Sequence, residues 1–134
     1  MPKESEIISL IRKRARHTDR VSVGIGDDAA VIKSAGASDM IACSDLSVEG
    51  VHFRIEWSDA WLIGRKSLAV TLSDIAAMGA EARFALLSVA LPAALSSEFI
   101  DQLFEGFFDI ADSYGVSIIG GDTSGSAHSL FIDT

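Results

Sequence analysis

The segment ARFALLSVALP, residues 82–92, is nearly all apolar and lies between two stretches that follow a helical period. It reads as a long strand. Before it, residues 58–79 (SDAWLIGRKSLAVTLSDIAAMG) place Trp61, Leu68, Leu72 and Ile75 on one stripe, with Ser58 as a candidate N-cap and Gly79 as the stop. After it, residues 96–115 (SSEFIDQLFEGFFDIADSYG) repeat that logic: serine caps, Glu98 and Asp101 in the first turn, Ile100, Leu103, Phe107 and Ala111 on the apolar face, and Gly115 as the stop. Strands separated by long helices predict an α/β, two-layer fold with a mixed sheet.

Moving outward, VSIIGGDTSGS (116–126) predicts a buried strand running into a glycine turn, and SLFIDT (129–134) alternates like a further strand. Toward the other end, SEIISLIRKRAR (5–16) predicts a short amphipathic helix whose basic end suits a helix C-terminus. VSVGIGDDAAVIK (21–33) reads as strand, loop, strand, DMIACSD (39–45) as a brief strand, and LSVEGVHF (46–53) as an irregular or edge strand. At 134 residues the chain is long enough for one domain, residues 1–134, and too short for two. Because SLFIDT breaks off mid-pattern, it reads as one domain cut from a longer protein.

A formal net charge of −8 excludes a nucleic-acid or anionic-membrane surface, which needs clustered Lys and Arg. Phosphates would bind only through cations. The single cysteine, Cys43, cannot form an internal disulfide, and no signal segment or long apolar span is visible, so the expected compartment is the cytoplasm.

The acids stand in selected places. Asp27 and Asp28 follow one predicted strand, Asp45 another and Asp122 a third, while Asp74 lies on the first long helix. Ends of strands are where sites are usually assembled. On spacing alone, Ser67, Thr71 and Asp74 form a polar stripe that reads as a solvent face. Gly24-Ile-Gly26-Asp-Asp-Ala29 imitates a dinucleotide-binding fingerprint, but a strand follows it where a helix N-terminus is needed. Magnesium explains more, because it takes hard oxygen ligands and is commonly held by a few carboxylates plus substrate phosphates. Asp28, Asp45, Asp74 and Asp122 could share such ions. No Walker motif or EF-hand pattern occurs.

Together, GIGDDAAVI, CSDLSVEGVHF, KSLAVTLSDIAAMGA and YGVSIIGGDTSG resemble, in order and spacing, the N-terminal half of the thiamine-monophosphate kinases, within the aminoimidazole ribonucleotide synthetase-like superfamily. The resemblance implies ATP-dependent phosphorylation of thiamine monophosphate to thiamine diphosphate. It implies Mg2+ held by Asp28, Ser44, Asp45, Asp74 and Asp122, ATP lying along Gly121 and Asp122, and thiamine monophosphate touching His52. Asp27 and Cys43 are possible further contacts, Cys43 standing where the family often has a small polar residue. It also implies a homodimer whose N-terminal domains pair into a barrel, and a second, C-terminal domain absent from this chain. Two other readings stay open: another ATP-using superfamily member, of the selenophosphate or aminoimidazole ribonucleotide synthetase type, or a non-catalytic dimerisation or nucleotide-binding module.

Overall fold

The computed structural model describes residues 3–16 and 18–134. In chain order the elements are α1 (Glu4–Arg14), β1 (Val21–Val23), β2 (Ala30–Ile32), β3 (Met40–Ala42), β4 (Leu46–Val48), α2 (Ala60–Ala77), β5 (Phe84–Pro92), α3 (Ser97–Tyr114), β6 (Ser117–Ser126) and β7 (Phe131–Asp133). The fold is mixed α/β, but with two sheets in place of the one expected. β1-β2-β3 form an antiparallel meander, and β4-β7-β5-β6 form a second, mixed sheet. The break falls at Cys43-Ser44-Asp45, which carries the chain from β3 to β4.

The strand that opened the reading, β5, is central: it pairs parallel with β6 and antiparallel with β7. A parallel pair requires a crossover, and α3 supplies it. β4 lies at one edge, as its broken pattern suggested, and turns off at Gly50 with φ +82°. β6 departs from expectation. It is an edge strand exposed along almost its whole length, and Gly120-Gly121 lie within it, not in a turn after it. Gly121 is required there because a Cβ would meet the Leu87 carbonyl oxygen at 1.7 Å.

Helices α2 and α3 cover one face of the second sheet. Ala60 and Ile63 of α2, Leu103 of α3, Val89 of β5 and Ile132 of β7 share a core with Leu130, and Leu68, Phe107, Ile110, Ala111 and Val116 form a second cluster. Asp59 caps α2 by accepting from the Leu62 N–H at 2.8 Å, so the cap is Asp59 and not Ser58. Ser96 caps α3, and Gly115 at φ +66° ends it as expected. α1 carries acids in its first turn and Arg12, Lys13 and Arg14 in its last, yet buries no residue.

The two long helices touch backbone to backbone. A Cβ on Gly64 would lie 1.8 Å from the Leu103 carbonyl oxygen, and one on Gly106 would lie 1.9 Å from that of Trp61. Gly106→Ala would gain about 1 kcal/mol of helix propensity. That gain is outweighed: the clash is with backbone that cannot swing aside, so the cost lies at or above the top of the ~1–3 kcal/mol usual for overpacking. The expected result is a lower urea midpoint for Gly106→Ala, with Gly125→Ala, whose Cβ meets nothing within 4 Å, nearly unchanged.

Candidate functional site

The Ser67-Thr71-Asp74 stripe faces inward, contrary to the solvent-face reading. Ser67 and Thr71 are buried and Asp74 is half-buried, because the stripe of α2 that they occupy lies toward the sheet. Opposite stands Asp45, which precedes β4 where the sequence suggested the end of a strand. Its main chain is fixed to β7: the Asp45 N–H donates to the Thr134 carbonyl at 3.0 Å and the Thr134 N–H donates back at 3.1 Å. The reciprocal pair sends the Asp45 and Thr134 side chains to one face of the sheet.

The Asp45 and Asp74 carboxyls lie close together. Burial, then the Asp45 charge, then hydrogen bonding between the two carboxyls hold the Asp74 carboxyl above its ordinary range. Two carboxyls in contact favour sharing a proton unless a cation neutralises them. Cys43 is beside them, its Sγ 3.8 Å from the Thr71 carbonyl oxygen. Burial, then the charges of Asp74 and Asp45, push its thiol up, so it stays a neutral sulfur and a poor partner for magnesium. Asp45 Oδ2 is buried without a hydrogen-bond partner. The pair of carboxyls, one of them reluctant to ionise beside the other, fits a divalent cation that takes one or two carboxylates here and its remaining ligands from phosphate and water.

The other predicted ligands lie elsewhere. Ser44 points to the opposite face of the sheet and donates to Asp133 Oδ1 at 2.8 Å. Asp122 sits within β6, in register with Ser88, which is itself in register with Asp133, so all three are on the face away from the helices. Asp122 Oδ1 accepts from the Thr123 N–H at 2.9 Å. Asp28 is exposed, and its N–H donates to Asp27 Oδ1 at 2.9 Å, so Asp27 holds the turn. Gly26, with φ +108°, leaves room for the Arg12 side chain, whose guanidinium donates to the Ile25 carbonyl. Among the described residues, no group of three or more His, Cys, Asp or Glu side chains converges closely enough to hold a metal ion. Asp45 and Asp74 come together; Asp28 and Asp122 do not join them within one chain.

His52 lines a cavity of about 160 Å³ with Ser47, Trp57, Lys66 and Ser67. Its Nδ1 accepts from the Val48 N–H at 3.0 Å, so the neutral ring carries its proton on Nε2 and presents a donor. The Lys66 ammonium donates to the His52 carbonyl at 2.9 Å. Sequence reading missed Lys66, Asp133 and Thr134. Only the alternation of SLFIDT, which puts Asp133 and Thr134 on opposite faces, hinted at the last two.

A raised Asp74 pKa has a sign. Its ionisation is harder in the folded protein than in the unfolded chain, so stability falls as pH rises from the ordinary carboxyl value of 3.8 through the raised one. With divalent cations chelated, Asp74→Asn is expected to melt higher than the unsubstituted protein at neutral pH, with the gap closing as pH falls toward that ordinary value. Equal melting temperatures across the whole range would refute the shift.

Residues 26–134 match the family model described as AIR synthase related protein, N-terminal domain. The chain is 41% identical over 129 residues to the thiamine-monophosphate kinase of Bacillus subtilis, covering 96% of this chain and 40% of that protein. It is 44% identical over 128 residues to that of Rhodopirellula baltica, covering 90% of this chain and 40% of that protein. The solved structure described as AaThiL complexed with AMPPCP and TMP superposes with a TM-score of 0.85 at 28% identity, over 97% of this chain and 40% of that one. The chain thus spans about two-fifths of the length of the curated relatives it matches. With the match covering residues 26–134, from the glycine turn at Gly26 to Thr134, the chain belongs to the AIR synthase related protein family, through its N-terminal domain.

Proposed function

We propose that a protein carrying this chain transfers the γ-phosphoryl group of ATP to thiamine monophosphate, giving thiamine diphosphate and ADP, and that these residues supply part of the cation and nucleotide site. The observation that carries the reading is the Asp45–Asp74 contact, in a chain similar to thiamine-monophosphate kinases over nearly its full length. AaThiL, with AMPPCP and TMP, adds the matching pair of ligand classes. Mg2+ would neutralise charge on the transferring phosphoryl group. Asp28, Ser44, Asp45, Asp74 and Asp122 are the chain's candidates to hold it, and Gly121, which admits close backbone approach, lies with Asp122 along the proposed nucleotide path.

The acceptor is a phosphate oxygen, already a competent nucleophile, so the reaction asks for alignment and charge neutralisation more than for a general base. His52 fits that division of labour. Held with Nδ1 as acceptor, it offers an Nε2 proton to a substrate oxygen and leaves proton abstraction out of the scheme. Asp27 is committed to the turn. Cys43, kept as a thiol, takes no part in binding the cation.

The barrel-forming homodimer also belongs to this reading. On the sheet face away from the helices, Phe84, Leu86 and Leu46 are 67%, 57% and 54% exposed, an apolar surface that a second copy would cover. Exposed β6 presents a free edge beside it. A second domain, outside these residues, would complete the substrate contacts, and a cytoplasmic setting suits a chain in which no described helix is long and apolar enough to cross a membrane.

Two measurements test this. In the full-length protein, ATP and thiamine monophosphate should give ADP and thiamine diphosphate in equal amounts, and Asp45→Asn or Asp74→Asn should lower kcat at least ~100-fold, the scale of several kcal/mol of lost charge stabilisation. Turnover close to that of the unsubstituted protein at saturating Mg2+ would remove that residue from the cation site. In sedimentation, the full-length protein should run as a dimer and its Leu86→Lys variant as a monomer; a monomeric unsubstituted protein would overturn the pairing.

A further inference from the structure

Among the described residues, three buried oxygens have no hydrogen-bond partner: Asp45 Oδ2, Thr71 Oγ1 and Thr134 Oγ1. Both threonines are only 8% exposed. Their placement is common. Asp45 and Thr134 are paired by two reciprocal main-chain bonds, so their side chains leave the sheet on one face. Thr71 stands one turn before Asp74, the partner of Asp45, and its carbonyl receives the Cys43 thiol from two residues before Asp45. An unsatisfied buried polar group costs about 1–3 kcal/mol. Three on neighbouring segments call for a shared partner.

We propose that one buried water bridges Asp45 Oδ2, Thr71 Oγ1 and Thr134 Oγ1, and that Thr71 and Thr134 are positioning residues that aim the Asp45 carboxylate at its cation. The inference rests on the reading of Asp45 as a cation ligand. The water donates to Asp45 Oδ2 and Thr134 Oγ1 and accepts from the Thr71 hydroxyl, which is the set of about three bonds typical of an internal water. A magnesium ion in the same place would have to give up the waters and phosphates it normally keeps in exchange for two neutral hydroxyls. The cation therefore sits on the open side of the carboxylates, where substrate phosphate reaches it, and the water holds the closed side.

Groups that orient a metal ligand from behind typically account for a 10–100-fold change in metal affinity. In the full-length protein saturated with AMPPCP, Mn2+ titration followed by electron paramagnetic resonance should show about that loss for Thr71→Val, with Thr71→Ser restoring affinity because it keeps the hydroxyl. Thr134→Val should move affinity in the same direction and serves if Thr71→Val does not fold. Affinity unchanged in the valine variants overturns the positioning role. A crystal structure that places waters should contain one within hydrogen-bonding distance of all three oxygens; an empty position, or a cation there, overturns the bridge. Failure of the unsubstituted protein to bind Mn2+ removes the cation reading of Asp45 instead, and the water position then decides the bridge alone.

Discussion

The backbone contact between α2 and α3 sets the geometry of everything around it. Gly64 against Leu103 and Gly106 against Trp61 allow the two helices to approach more closely than any side chain would permit, and so to lie as one layer on the second sheet. Ala60, Ile63 and Leu103 then reach Val89 and Ile132 on β5 and β7. Once α2 is seated by those contacts, Thr71 and Asp74, two turns and more along from Gly64, are carried over the beginning of β4. The site inherits its position from a packing constraint well away from its chemistry.

What the packing delivers to that position is charge of one sign in a partly dehydrated place. Asp74 resists ionisation beside Asp45, and the Cys43 thiol resists it beside both. Without a cation the arrangement is a liability, since like charges at short range disfavour each other and burial removes the water that would screen them. With a cation and phosphate the same crowding becomes a means of attracting and holding positive charge, which is the logic of phosphoryl-transfer sites that lack a P-loop. Stability and the proposed cation binding pull in opposite directions at Asp74.

The sheet has two unlike faces. Toward the helices it is apolar and buried, and at its end lies the Asp45–Thr134 pair. Away from them it carries Leu46, Leu86, Ser88, Asp122 and Asp133, a mixture of apolar side chains and acids. Ser44 and Asp45, adjacent in sequence, therefore serve opposite faces, as alternation along an extended chain requires. In the dimer proposed above, a second copy would cover the apolar part of this outer face.

Local patterning determined the elements. The helical stripes of residues 58–79 and 96–115, the cap and stop of the second of them, the apolar run of β5, and the alternation of SLFIDT were readable because periodicity and capping are properties of neighbours in the chain, while the N-cap of the first fell one residue on, at Asp59. Asp45 and Asp74 were legible as candidates through the motifs around them and their family resemblance, whereas spacing alone put Asp74 on a solvent face. Tertiary structure decided which way those elements face. It turned the Ser67-Thr71-Asp74 stripe inward, left β6 as an exposed edge, divided the strands into two sheets, and buried the Thr71 and Thr134 hydroxyls. None of these is encoded within a window of a few residues, because each depends on contacts between segments far apart in sequence, and the free energy of burying a polar group is fixed only when its distant neighbours are in place.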